Sequence, residues 1–135
     1  MKKYIILSMA ILTIACRKES QKNIDYPADK IIEYSELFGQ TEFEYYVYVF
    51  SHTCLHCIEI KKDIINFYNN TTKSMYFIQF QGQIALNKDI DLTIGCNNIA
   101  DFSILGTPSL VFIRNKSVIN NLGGKKAILS HINNH

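Results

Sequence analysis

The chain has 135 residues, 47% hydrophobic and 19% charged, so it can form a core and is not disordered overall. Its formal net charge is +2, and removing Lys2 and Lys3 with an N-terminal leader leaves 12 basic residues against 12 acidic ones. Nothing in that balance argues for nucleic acid, and no repeat or low-complexity tract appears.

The elements follow in chain order. Lys2 and Lys3 precede an uncharged, mostly apolar stretch from Tyr4 to Ala15. It is too short for an ordinary membrane span of about 20 residues and suits an export signal. The stretch ends Leu12-Thr13-Ile14-Ala15-Cys16, which resembles a bacterial lipoprotein lipobox except at Thr13, where leucine is usual. That resemblance implies a signal peptide over residues 1–15, lipid on Cys16, and a protein anchored to the outer face of a bacterial cell membrane. A plain cleaved signal and an uncleaved anchor are the other readings. Residues 16–26 read as a polar tether or as a disordered terminus, and residues 27–135 as one domain.

In that domain, Ile31, Tyr34, Ser35 and Phe38 share a helical face, which predicts a helix over Ala28 to Phe38 ended by Gly39. Glu44 to Phe50, rich in Tyr and Val, reads as the central strand. Thr53 is the N-cap candidate for a helix over Cys54 to Asn69, whose Ile60, Ile64, Phe67 and Tyr68 recur at helical spacing. Met75 to Phe80 predicts a strand parallel to the first, with the intervening helix as its crossover. Gly82 to Leu92 reads as loop, and Thr93 to Ser103 as a shorter helix. Leu110 to Ile113 and Val118 to Leu122 read as a β-hairpin whose turn lacks glycine, and Lys125 to Ile132 as a closing helix after Gly123-Gly124.

The chemistry sits in Cys54-Leu55-His56-Cys57, directly after the central strand. Two residues between cysteines on the first turn of a helix bring the sulfurs within bonding reach. The outer sulfur, on Cys54, sits where helical N–H groups point, which favours its thiolate. A thiolate attacks a disulfide, forms a mixed disulfide and is displaced by the second thiol, so Cys54 is the candidate nucleophile and Cys57 the resolving residue. His56, when protonated, adds positive charge beside Cys54, stabilises the reduced pair and so makes it more oxidising.

Together with Gly106-Thr107-Pro108 before the Leu110 strand, these residues resemble the thioredoxin superfamily, through Phe50 to Cys57 and Ala100 to Gly124. The resemblance covers roughly residues 43 to 134. It implies an α/β, thioredoxin-like fold: a central mixed β-sheet flanked by helices. It also implies that Cys54 and Cys57 are the redox pair, that Pro108 is a cis-proline facing them, and that Thr107 offers backbone hydrogen bonds to an extended substrate. The chain departs from thioredoxin itself in having Thr53 before the first cysteine, Leu55-His56 between the two, and no tryptophan. Where the family often places a buried acid, six residues before the nucleophile, this chain has Tyr48, and Glu59, a water or nothing takes the acid's place. The histidine before the second cysteine is similar to that of the family's extracytoplasmic oxidases and isomerases.

The resulting expectation is a thiol–disulfide oxidoreductase acting on exported protein thiols or disulfides, with disulfide formation or isomerisation ahead of reduction. A membrane redox partner, attachment to the membrane through Cys16, and no cofactor go with it. Other readings stay open. Cys54 and Cys57 can form a structural disulfide or a zinc half-site. His52, Cys54, His56 and Cys57 can form a copper or zinc carrier, or the domain can be a non-catalytic scaffold with a groove beside Pro108. Cys96 reads as a buried or half-buried free thiol in the helix before Pro108, or as a regulatory or intermolecular one.

Overall fold

The computed structural model describes residues 25–135. The leader, Cys16 and most of the tether lie outside the described residues. Strand β1 (Glu44–Phe50) runs through the middle of the molecule and is buried from Tyr45 onward. Its alternation explains why: Tyr46, Tyr48 and Phe50 enter one apolar cluster, while Tyr45, Val47 and Val49 enter the other. Helix α1 (Leu55–Asn70) buries Cys57, Ile60, Ile64 and Phe67 along one stripe and returns the chain for β2 (Ser74–Gln79). β2 pairs parallel with β1, as expected, with Tyr48 opposite Phe77.

Two short strands follow, β3 (Ala85–Leu86) and β4 (Ser103–Ile104), paired parallel with each other. β5 (Ser109–Arg114) then runs antiparallel to β1, and β6 (Ser117–Gly123) antiparallel to β5, giving the sheet order β2-β1-β5-β6. The hairpin between β5 and β6 turns without glycine because Asn115 and Lys116 both take positive φ, 48° and 60°. That backbone twist matches the strands it joins. Helix α2 (Lys125–Ile132) places Ile128 and Ile132 against the α1 face of the sheet. No helix among the described residues is long and apolar enough to cross a membrane.

Two expected helices are absent. Residues 28–38 form only two 3-10 turns, Ala28–Lys30 and Tyr34–Glu36. Between them Ile31 bridges to Phe77 and the Ile32 N–H donates to the Phe77 carbonyl at 2.8 Å, so the segment completes the edge of β2. The expected face is also wrong: Ile31 is 42% exposed, whereas Leu37, off that face, is fully buried. Residues 93–103 are likewise not helical. A 3-10 turn over Ile90–Thr93 stops before Gly95, whose φ of +83° leaves the helical region. The Gly95 N–H then donates to Val118 and the Cys96 carbonyl accepts from it, which covers the free edge of β6. Both α-helices of the described residues pack on one face of the sheet, and the other face is covered by Leu37 and Phe102 of these irregular segments, together with Ile84 and, from β4, Ile104.

Candidate active site

The parallel β1–α1–β2 unit brings the chain out of the sheet at Phe50 and starts α1 at the strand's C-terminal end. The N-cap of α1 is Cys54, not Thr53. The Cys54 sulfur takes the capping role by accepting the Cys57 N–H at 3.1 Å, whereas the Thr53 hydroxyl turns back to that of Ser51 at 3.0 Å. A sulfur held this way faces the positive end of the helix, so on reduction its thiolate is favoured.

Cys54 and Cys57 are joined as a disulfide, with Cα atoms 5.2 Å apart. The two sulfurs are not equivalent. Cys54 is half-buried, while Cys57 is only 2% exposed and belongs to the core. An incoming sulfur therefore reaches Cys54 first.

The second wall of the site comes from the start of β5. The Thr107–Pro108 peptide bond is cis, and the Thr107 carbonyl lies 3.3 Å from the Cys54 sulfur. The Gly124 N–H donates to the Pro108 carbonyl at 2.9 Å, which ties the end of β6 to this loop. Gly123 has no room for a side chain, since a Cβ there would come within 2.5 Å of the Leu105 Cβ. These contacts bring the Cys54–Cys57 pair and Thr107-Pro108 together, with Cys54 and Thr107 53 residues apart in sequence.

His56 stands apart from the sulfurs. Its Nδ1 is 3.1 Å from Glu59 Oε2, which also accepts from Lys125 Nζ at 2.8 Å. Lys125 first, and His56 second, hold the Glu59 carboxyl below the usual carboxylate range. A groove of about 540 Å³, lined by His56, Gly123, Gly124, Lys125, Lys126 and Leu129, opens beside them. Glu59 thus faces outward and does not stand in for a buried acid behind the pair. Tyr48 is fully buried, its hydroxyl has no hydrogen-bond partner, and burial pushes its ionisation far above the normal tyrosine range.

The HxCxHC set is dispersed. His56 pairs with Glu59, the His52 ring packs edge-on against Phe50 at 5.4 Å, and the two sulfurs bind each other. Among the described residues no group of three or more His, Cys, Asp or Glu is placed to hold a metal ion. Cys96 is a half-buried free thiol in the loop beside β6, its sulfur 3.0 Å from the Asn98 carbonyl.

Sequence reasoning missed a pocket of about 160 Å³ behind Cys57, lined by Tyr26, Phe50, Ser51, His52, Cys57, Ile58 and Lys61. Tyr26 packs its ring 4.2 Å from that of Phe50, and burial raises its hydroxyl to about 12. The only sequence signal was the four-residue spacing of Cys57 and Lys61, which places them on one helical face.

No protein-family model matches the sequence, and no curated protein matches it. Among solved structures the chain is similar to thioredoxin f2 of Chlamydomonas reinhardtii, at 14% identity and a TM-score of 0.53, over 78% of this chain and 94% of that one. It is also similar to the thioredoxin of Aeropyrum pernix, at 17% identity and a TM-score of 0.52, over 76% and 81% of the two chains. A third is Plasmodium falciparum thioredoxin, at 18% identity and a TM-score of 0.50, over 78% and 98%. With its mixed four-stranded sheet, its Cys54–Cys57 disulfide at the start of α1 and a cis-proline opposite, the chain has a thioredoxin-like fold.

Proposed function

We propose that this chain is a thiol–disulfide oxidoreductase that forms or isomerises disulfides in exported proteins. The observation that carries the reading is the asymmetry of the pair: an accessible Cys54 sulfur capped by a helix N-terminus, bonded to a buried Cys57. A substrate thiolate attacks the Cys54 sulfur, the Cys54–Cys57 bond breaks, and Cys57 leaves with the electron pair. A second substrate thiolate then attacks the substrate sulfur of the mixed disulfide and releases Cys54 as thiolate. The substrate has lost two electrons and the pair has gained them, so a membrane redox partner must reoxidise it.

The extended peptide lies against Thr107 and Pro108, with the groove beside His56 and Leu129 available to its flanking residues. Export, lipid attachment through Cys16 and a place on the outer face of a bacterial cell membrane rest on the leader sequence, Lys2 to Cys16. The direction of transfer rests chiefly on the helix-capped Cys54, with a small addition from the positive charge of a protonated His56. Trapping tests the reading: Cys57→Ser expressed with its leader should accumulate mixed disulfides between Cys54 and exported proteins, seen as reducible bands on non-reducing gels. Their absence, with Cys54 fully alkylatable, would count against it.

A further inference from the structure

The buried Cys57 must lose a proton before it can attack a mixed disulfide on Cys54, and burial disfavours its thiolate. The groups around it are few. β1 contributes Tyr48, which burial keeps neutral. The loop before β5 contributes the uncharged Thr107 and Pro108. On the α2 side Lys125 is bound to Glu59, which also holds His56. The pocket behind Cys57 is different, because His52 and Lys61 line it and the N-terminal segment adds Tyr26 and Asp25 at its mouth. Lys61 lies one helical turn after Cys57 on the same face. Its ammonium sits 4.8 Å from the centre of the Tyr26 ring and 3.1 Å from Asp25 Oδ1, and its side chain is 27% exposed. Two partners therefore hold this charge at the rim of the pocket that Cys57 lines. His52 instead packs its ring on Phe50.

We infer that Lys61 is the positioning residue for the resolving thiol: its ammonium, held over the pocket by Tyr26 and Asp25, stabilises the Cys57 thiolate. The inference deepens the redox reading above and rests on it. In the resolving step the Cys57 proton passes to water at the pocket mouth and the Cys57 sulfur bonds to that of Cys54. The Cys54–substrate bond breaks, and the substrate leaves as thiolate to be protonated by solvent.

The test is an NMR titration of the reduced full-length chain labelled with ¹³C at cysteine Cβ, with the Cys57 signal assigned from Cys57→Ser. Lys61→Gln should lower the Cys57 thiolate fraction at fixed pH by about threefold or more, as the loss of a nearby unit charge does in a partly solvated site. Lys61→Arg should restore it. Asp25→Asn, which removes the competing carboxylate while the Tyr26 ring still holds the ammonium over the pocket, should leave that fraction equal or higher. Both Lys61→Gln and Asp25→Asn break the same ion pair, so a merely structural role would shift Cys57 the same way in each. That result, or an unmoved Cys57 in Lys61→Gln, overturns the inference. So does a shift in His52→Gln as large as that in Lys61→Gln. The titration needs no turnover, so a protein that shows these shifts but exchanges no disulfides would fail the redox reading alone.

Discussion

Cys54 and Cys57 differ less in chemistry than in surroundings, since one caps a helix at the surface and the other packs in the core. His56 and Glu59 act on that pair through charge alone. Their side chains are bound to each other and exposed, so each effect is small and of opposite sign. His56→Pro should move the Cys54–Cys57 potential downward by on the order of 10 mV, and Glu59→Gln should move it slightly upward, both read in thiol-redox buffers. The cysteines and the Thr107-Pro108 pair could be read from the sequence because each motif is short and sits against a recognisable strand. Lys61 could not, because its role depends on Tyr26 and Asp25 folding back from the far end of the domain onto Phe50 and α1.

Elements whose apolar pattern is set by one neighbour were legible, including β1, α1, β2, the hairpin strands and α2, each within about a residue of its observed span. Residues 28–38 and 93–103 were not, because their apolar residues serve strand edges and the far face of the sheet, a long-range arrangement that mimics helical spacing. The hairpin turn shows how a local rule survives without glycine, since asparagine tolerates the left-handed region. Asn115→Val should therefore destabilise the domain by about 1–2 kcal/mol in urea unfolding. At the same end of the sheet Glu44 binds Lys73 and Arg114, each at 2.7 Å, tying the start of β1 to the start of β2 and the end of β5. Lys73 first and Arg114 second hold its carboxyl below the ordinary value in the folded state. A depressed folded pKa adds stability above the unfolded value, and that stability is lost as pH falls through the folded one. Glu44→Gln should thus flatten the acid limb of the stability–pH curve and leave its shape near neutrality unchanged.

The described residues form a four-stranded sheet with two α-helices on one face and, on the other, irregular cover that includes the β3–β4 pair, and the Cys54–Cys57 disulfide stands where β1 hands over to α1. The rigid, doubly buried β1 fixes the base of α1, and the β5–β6 hairpin fixes the opposing proline loop, so the site is held between two parts of the same core. On the proposed function, exchange at this pair can run in either direction, and the direction depends on how strongly the site favours a reduced, ionised Cys54. The decisive measurement is the equilibrium of the Cys54–Cys57 disulfide in glutathione buffers, with each thiol read by alkylation and mass. A reversible couple with a potential between about −180 and −120 mV, the range of isomerases and strong oxidants, is the predicted result. A potential near −270 mV would contradict the disulfide-forming direction, and a disulfide that does not cycle at all would contradict the oxidoreductase itself.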